Sequence, residues 1–222
     1  MIDKVLVSWS GGKDSAVALY ELMKNDEFEV AGLLTTVNED YDRISLHGVR
    51  RTLLEQQVSS LDFPLEKVLI SKNISEEAYE AKMREVLVHH QTKGVTAVVF
   101  GDIFLESVRD RRVEKLSQIG MKAIFPLWGR DTSDLAREFI ALGFKAISVC
   151  IDTQVLDNRF VGREYNREFL SELPAEVDPC GENGEFHTLV YDGPIFSRPI
   201  KHELGEVVLR ENRFLFCDLL PA

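Results

Sequence analysis

The sequence predicts an α/β fold: a doubly wound, mostly parallel sheet followed by a smaller C-terminal α+β part. Three observations carry this. Short apolar segments alternate with longer amphipathic ones as far as residue 151, the rhythm of successive βαβ units. Ala97-Val98-Val99-Phe100-Gly101 is apolar throughout, as a central parallel strand buried on both faces should be. After Asp152 the rhythm stops, and a Gly/Pro-rich stretch leads to a closing hairpin pattern. The parts expected are therefore residues 1–151 and 152–222.

Lys4-Val5-Leu6-Val7-Ser8-Trp9 reads as the first strand, and residues 15–22 as an amphipathic helix. Residues 29–37 form a second strand, followed by a polar loop and a helix over 49–61. Residues 67–70 make a short third strand. Ser75 opens a helix that runs to 93, where Gly94 stops it. The fourth strand, 97–101, is followed by a helix over 107–119 and a strand at 123–125. A helix over 131–142 leads to a strand at 145–151. Helices of this length between strands imply a parallel sheet covered on both faces. A loop and helix over 163–173 come next, and 207–210 with 213–217 read as a hairpin turned at Glu211-Asn212.

A chain of 222 residues can bury a proper core. No apolar run approaches the ~20 residues that span a bilayer, and the N-terminus starts with strand residues rather than a signal region. A cytoplasmic protein with no membrane partner is expected. Cys150, Cys180 and Cys217 are odd in number and widely spaced, which excludes a disulfide framework and a C-x-x-C motif. The histidines are scattered, so no histidine metal site is expected. A net charge of −11 repels nucleic-acid backbones. Arg109-Asp110-Arg111-Arg112, the densest basic cluster, reads as a solvated helix face.

The stretch with most chemistry is Ser10-Gly11-Gly12-Lys13-Asp14-Ser15, between the first strand and the first helix. Glycines let backbone approach a ligand, and a helix start offers unpaired N–H groups and a positive dipole end. A phosphate belongs there. The spacing fails the Walker A pattern, since Lys13 is followed by Asp14 and Val7 precedes Gly12 by five. It also fails the dinucleotide fingerprint. A glycine turn with Asp14 or Ser15 as a helix cap is the plainer alternative.

Ser-Gly-Gly-x-Asp-Ser after a first strand resembles the pyrophosphate loop of the ATP pyrophosphatases, whose sheet is HUP-like. Leu46-His47-Gly48-Val49, Gly101-Asp102-Ile103 and Asp178-Pro179-Cys180-Gly181-Glu182-Asn183-Gly184-Glu185-Phe186-His187-Thr188, with Tyr191-Asp192-Gly193-Pro194 downstream, narrow this further. Together they resemble the diphthine–ammonia ligase family, and their form resembles its bacterial-type members. His187 stands where a glutamate is expected in the diphthine enzymes. The resemblance implies a ligase that cleaves ATP to AMP and pyrophosphate and converts a carboxylate to an amide. ATP, Mg2+, ammonium and a carboxylate acceptor, on a protein side chain or a small molecule, are the implied cofactors and partners. It divides the chain into an ATP-binding domain (1–151) and an acceptor-binding part (152–222). A homo-oligomer is left open.

Ligands of an open parallel sheet collect at the carboxyl ends of its strands. The ATP-binding candidates are Ser10, Gly11, Gly12, Lys13, Asp14, Ser15, His47 and Gly101, with Thr35, Thr36 and Val37 touching adenine through their backbone by analogy with the family. Asp14 among phosphates calls for a cation, so it is the magnesium candidate. Asp14, Asp102, Glu182 and Glu185 are the catalytic candidates, with Asp102 as a helix cap the alternative. Glu182, Glu185, Phe186, His187 and Arg163 are the acceptor-binding candidates. An ATP-dependent sulfurtransferase acting on RNA and a non-catalytic ATP-binding sensor are the competing functions. The first would need a reactive thiol, which the acidic neighbours of Cys180 disfavour.

Overall fold

The computed structural model describes residues 2–44 and 48–222. Its first strand, β1 (Asp3–Ser8), alternates its side chains between two cores. Val5 and Val7 join the larger, and Leu6 joins the smaller. β5 (Ala97–Val99) splits the same way, with Ala97 and Val99 on one side and Val98 on the other. That is the period-2 pattern of strands covered on both faces.

β2 (Phe28–Asn38) pairs with β1 on one edge and with β4 (Leu65–Ile70) on the other, both parallel. β6 (Lys122–Ile124) pairs parallel with β5, and β5 pairs with β1. The parallel order is thus β4-β2-β1-β5-β6. A two-residue strand, β3 (Arg43–Ile44), adds antiparallel to the far end of β2. Helices α1 (Lys13–Met23), α2 (Arg51–Leu61) and α5 (Thr132–Ala141) bury Leu19, Leu54 and Phe139 in the larger core. Helices α3 (Glu76–Thr92) and α4 (Glu106–Ser117) cover the other face through Leu87 and Leu116. Ser75 caps α3, accepting from Ala78 N, and Asp131 caps α5, accepting from Asp134 N. The α/β, doubly wound, mostly parallel reading therefore holds.

One expected placement is corrected. β7 (Lys145–Asp152) does not continue the parallel sheet; it pairs antiparallel with β8 (Phe186–Asp192) and β10 (Phe214–Pro221). With β9 (His202–Arg210) these form a second sheet of order β8-β7-β10-β9. A short 3₁₀ turn (Asn158–Phe160) and α6 (Arg167–Glu172) lie between β7 and β8. Apolar composition marks a buried strand, but not the direction of its partners. The hairpin turn Glu211-Asn212 is found as expected, both residues at positive φ.

Asp218 on β10 ties the two sheets together. It accepts from Arg43 Nη1 at 2.8 Å and from Arg50 Nη2 at 2.6 Å. Burial alone would raise its carboxyl, but these hydrogen bonds bring it down to about 2. A carboxyl depressed below its unfolded value adds stability above that value and loses it as pH falls through the folded pKa. Asp218→Asn should therefore cost about 2 kcal/mol at neutral pH. In thermal melts that cost should shrink between about pH 4 and about pH 2, the interval from the unfolded to the folded pKa.

Candidate active site

In a sheet of this order the chain turns back between β1 and β5, and a crevice opens at their carboxyl ends. Ser10–Ser15 and Gly101-Asp102 emerge there. Gly101 lies against the first turn of α1: a Cβ on it would stand 2.8 Å from the Asp14 carbonyl carbon and 3.0 Å from Ser15 N. Only glycine lets the two segments approach so closely. Within the loop, Gly12 N donates to Ser10 Oγ at 3.2 Å, and Ser15 Oγ donates to Gly12 O at 2.9 Å. The N-cap of α1 is Gly12, with no side-chain cap, so neither Asp14 nor Ser15 caps it. The first helical N–H, that of Lys13, is met from outside the helix by a threonine of β8.

β1 pairs with β2 as far as Leu34, whose carbonyl accepts from Trp9 N at 2.8 Å. β3 takes over that edge at Val37. Main-chain groups of alternate residues face the same edge of a parallel strand. Thr36 N–H and C=O therefore face the gap between, at the wall of the cleft. Val37 itself is fully buried. His47 lies outside the described residues.

The C-terminal part completes the cleft, which encloses about 1270 Å³ and continues beneath α3 and α4. Glu182, Phe186, His187 and Thr188 line it together with the loop. Thr188 Oγ1 accepts from Lys13 N at 3.1 Å, and Val190 N donates to Gly11 O at 2.9 Å. Beneath the loop, the buried Gln57 amide donates to Gly11 O and to Val190 O. The second sheet is thus bonded directly to the Ser10–Ser15 loop. In the sequence Thr188 has a place at the end of the 178–188 motif but no role, and Gln57 is not distinguished. Their partners lie 175 and 46 residues away, and neither residue type in its local context marks a site.

The glycine-rich segment 178–185 separates its two glutamates. Glu185 is buried and spends both oxygens inside the loop, accepting from Asp178 N, Asn183 N and Asn183 Nδ2 at 2.9–3.1 Å. Glu182 accepts from Ile103 N at 2.7 Å through one oxygen and lines the cleft. Asp178 fixes its backbone, accepting from Glu182 N at 2.9 Å. Burial pushes the Glu182 carboxyl up to about 7.

Lys13 reaches Asp14 Oδ2 at 2.8 Å and stands 5.4 Å from the Phe186 ring centroid. Its side chain is almost fully buried, so the cation faces the cleft rather than open solvent. Burial opposes its charge, but the Asp14 and Glu182 carboxylates hold it above the ordinary lysine value. Burial lowers His187 to about 4, so the ring is neutral near pH 7. Burial likewise pushes the Cys180 thiol up to about 12, and its Sγ lies 3.3 Å from Thr132 O.

Asp102 is ion-paired with Arg112 at 2.7 Å, and Arg112 stacks over Phe100; the N-cap of α4 is Leu105, not Asp102. Arg111 pairs with Glu76, and Arg109 lies over Trp128. Arg163 stands apart from the residues lining the cleft, forked onto Glu172 at 2.9 and 3.2 Å. Among the described residues no group of three or more His, Cys, Asp and Glu is arranged to hold a metal, and no helix is long and apolar enough to cross a membrane.

Both halves of this arrangement match known proteins. The model of the diphthamide synthase N-terminal domain matches residues 3–123, and that of the diphthamide synthase C-terminal domain matches residues 131–216. The chain belongs to the diphthamide synthase family. A protein of Schizosaccharomyces pombe named diphthine–ammonia ligase is 28% identical over 92% of the chain and 38% of its own length. One of Mus musculus with the same name is 30% identical over 52% of the chain and 45% of its own length. The chain thus spans less than half the length of these family members. A predicted subunit of a tRNA methyltransferase from Methanocaldococcus jannaschii superposes with a TM-score of 0.41 and 16% identity, covering 71% of the chain and 82% of its own.

Proposed function

We propose that this family member is an ATP-dependent, AMP-forming ligase that adenylates an acceptor carboxylate and amidates it with ammonia. The supporting observation is that residues of the Ser10–Ser15 loop and Glu182 line one cleft. In this reading residues 1–151 bind ATP and residues 152–222 supply most of the acceptor side, with β7 built into the second sheet. The phosphates lie against Ser10, Gly11, Gly12, Ser15 and the α1 start, and adenine lies at the Thr36 main chain. The acceptor carboxylate, held near Glu182, Phe186 and His187, attacks the α-phosphorus. Pyrophosphate leaves into the loop, whose donors stabilise the charge that develops on it. Ammonia then attacks the acyl carbonyl, AMP departs, and Glu182 takes the proton released from nitrogen. A base titrating near 7 suits that transfer.

Mg2+ fits this donor set, because it is bound through one or two carboxylates plus substrate phosphates rather than an all-protein cage. Asp14 would hold it, and it would offset phosphate charge. The relatives are named for diphthine, so a diphthine carboxylate is the acceptor to supply first. The protonated, buried Cys180 weighs against sulfur transfer, which needs a thiolate.

Asp14→Asn and Ser10→Ala should each weaken ATP binding about tenfold or more, the scale of one charge-assisted hydrogen bond. Titration calorimetry with wild-type affinity in both variants would remove the loop from the site. With the wild type, repeated turnover should depend on both ammonium and a diphthine-bearing protein, whereas one equivalent of pyrophosphate per enzyme is released with the acceptor alone. Steady-state release that ignores ammonium would contradict the ligase reading.

A further inference from the structure

Gln57 is fully buried, yet it lies on the inward face of α2 beside Leu53, Leu54, Val58 and Leu61, all apolar. Its amide touches three segments. Nε2 donates to Gly11 O at 2.9 Å and to Val190 O at 2.6 Å, while Oε1 accepts from Trp9 Nε1 at 3.3 Å. The end of β1, the loop and β8 therefore meet at one side chain. Gly11 sits at φ +77°, and a Cβ there would stand 2.6 Å from Gln57 Oε1. The amide fills the space that the glycine leaves.

We propose that Gln57 is a positioning residue that sets the Ser10–Ser15 loop for the β- and γ-phosphates. The Gly11 carbonyl is held by two donors, Gln57 Nε2 and Val190 N. A planar peptide bond then turns Gly12 N–H the opposite way, where it donates to Ser10 Oγ at 3.2 Å. A buried carbonyl rarely goes unpaired, so the amide pins one peptide orientation. An apolar side chain at 57 would leave Val190 O without this donor and Gly11 O with Val190 N alone, so the loop peptide would be held less firmly. All three partners are uncharged, so the clamp itself does not titrate.

This inference rests on the loop being the phosphate site, and the test separates the two. Affinities for ATP, for pyrophosphate and for AMP are measured on the wild type and on Gln57→Leu. The variant should lose about tenfold or more for ATP and pyrophosphate, while AMP, which lacks the clamped phosphates, stays within about twofold. Unchanged ATP and pyrophosphate affinities, or equal losses for all three ligands, would overturn the positioning role. A wild type that binds no ATP would overturn the phosphate-site reading itself, and this inference with it. Gln57→Glu gives a second reading should Gln57→Leu fold poorly. A protonated carboxyl still donates to one carbonyl, whereas the ionised form only repels both. Its ATP affinity relative to wild type should fall from about pH 5.5 to about pH 8; a constant ratio would count against the clamp.

Discussion

Glu182→Gln is expected to lower amide formation by about 10²–10⁴-fold, the usual contribution of a general base, with ATP affinity unchanged. The substitution keeps the acceptor oxygen that Ile103 N donates to at 2.7 Å, so the loop should hold its shape. What it removes is a carboxyl that burial has brought up to about 7. The wild-type to variant rate ratio should rise with pH through that value, because only the ionised form accepts a proton. Folding supplies an independent check. A carboxyl whose folded pKa lies above its unfolded value destabilises the fold progressively as pH rises from about 4.5 to about 7. Removing the charge should therefore raise the melting temperature at pH values above that range. A variant with normal turnover, or one that loses ATP binding as well, would contradict the assignment of Glu182 to the acceptor side.

The second large effect is expected at Gly101. Its φ is not in the left-handed region, so alanine would be tolerated there but for its neighbour. The neighbour is backbone: the Asp14 carbonyl carbon and oxygen at 2.8 and 2.9 Å, and Ser15 N at 3.0 Å, from an added Cβ. No side-chain rotation relieves that contact, and the start of α1 must shift. Overpacking of this kind costs about 1–3 kcal/mol. If it falls on the geometry that receives phosphate, Gly101→Ala loses roughly ten- to a hundredfold in ATP affinity. Calorimetric affinity equal to wild type would mean that the α1 start is not part of the phosphate site.

Much of this architecture was legible in the sequence because its signals are local. The apolar β1 and β5, the helix start at Ser75, and the glycines between β1 and α1 each declare their role within a few residues. The pairing of β7 was not legible. Lys145–Asp152 is apolar enough for either sheet, and its partners, β8 and β10, lie 35 or more residues downstream. β8 follows the glycine-rich segment 178–185, so local turn chemistry masks the strand that begins at Phe186. Within that segment the two glutamates look equivalent in sequence. Three hydrogen-bond donors turn Glu185 inward to hold the loop, while Glu182 faces the cleft. Arg163 looks available after Gly162, but Glu172, nine residues on, engages it in a forked ion pair. Gln57 carries no local mark and Thr188 only its place at the end of the 178–188 segment, because their roles come from the backbone groups that distant segments bring to them.

In the ligase proposed above, this cleft splits ATP between its α- and β-phosphates. The direct test follows γ-labelled ATP through turnover with ammonium and a diphthine-bearing protein. The label should emerge in pyrophosphate, with AMP in equal amount and amide formed in step with it. Label in orthophosphate, accompanied by ADP, would contradict the account.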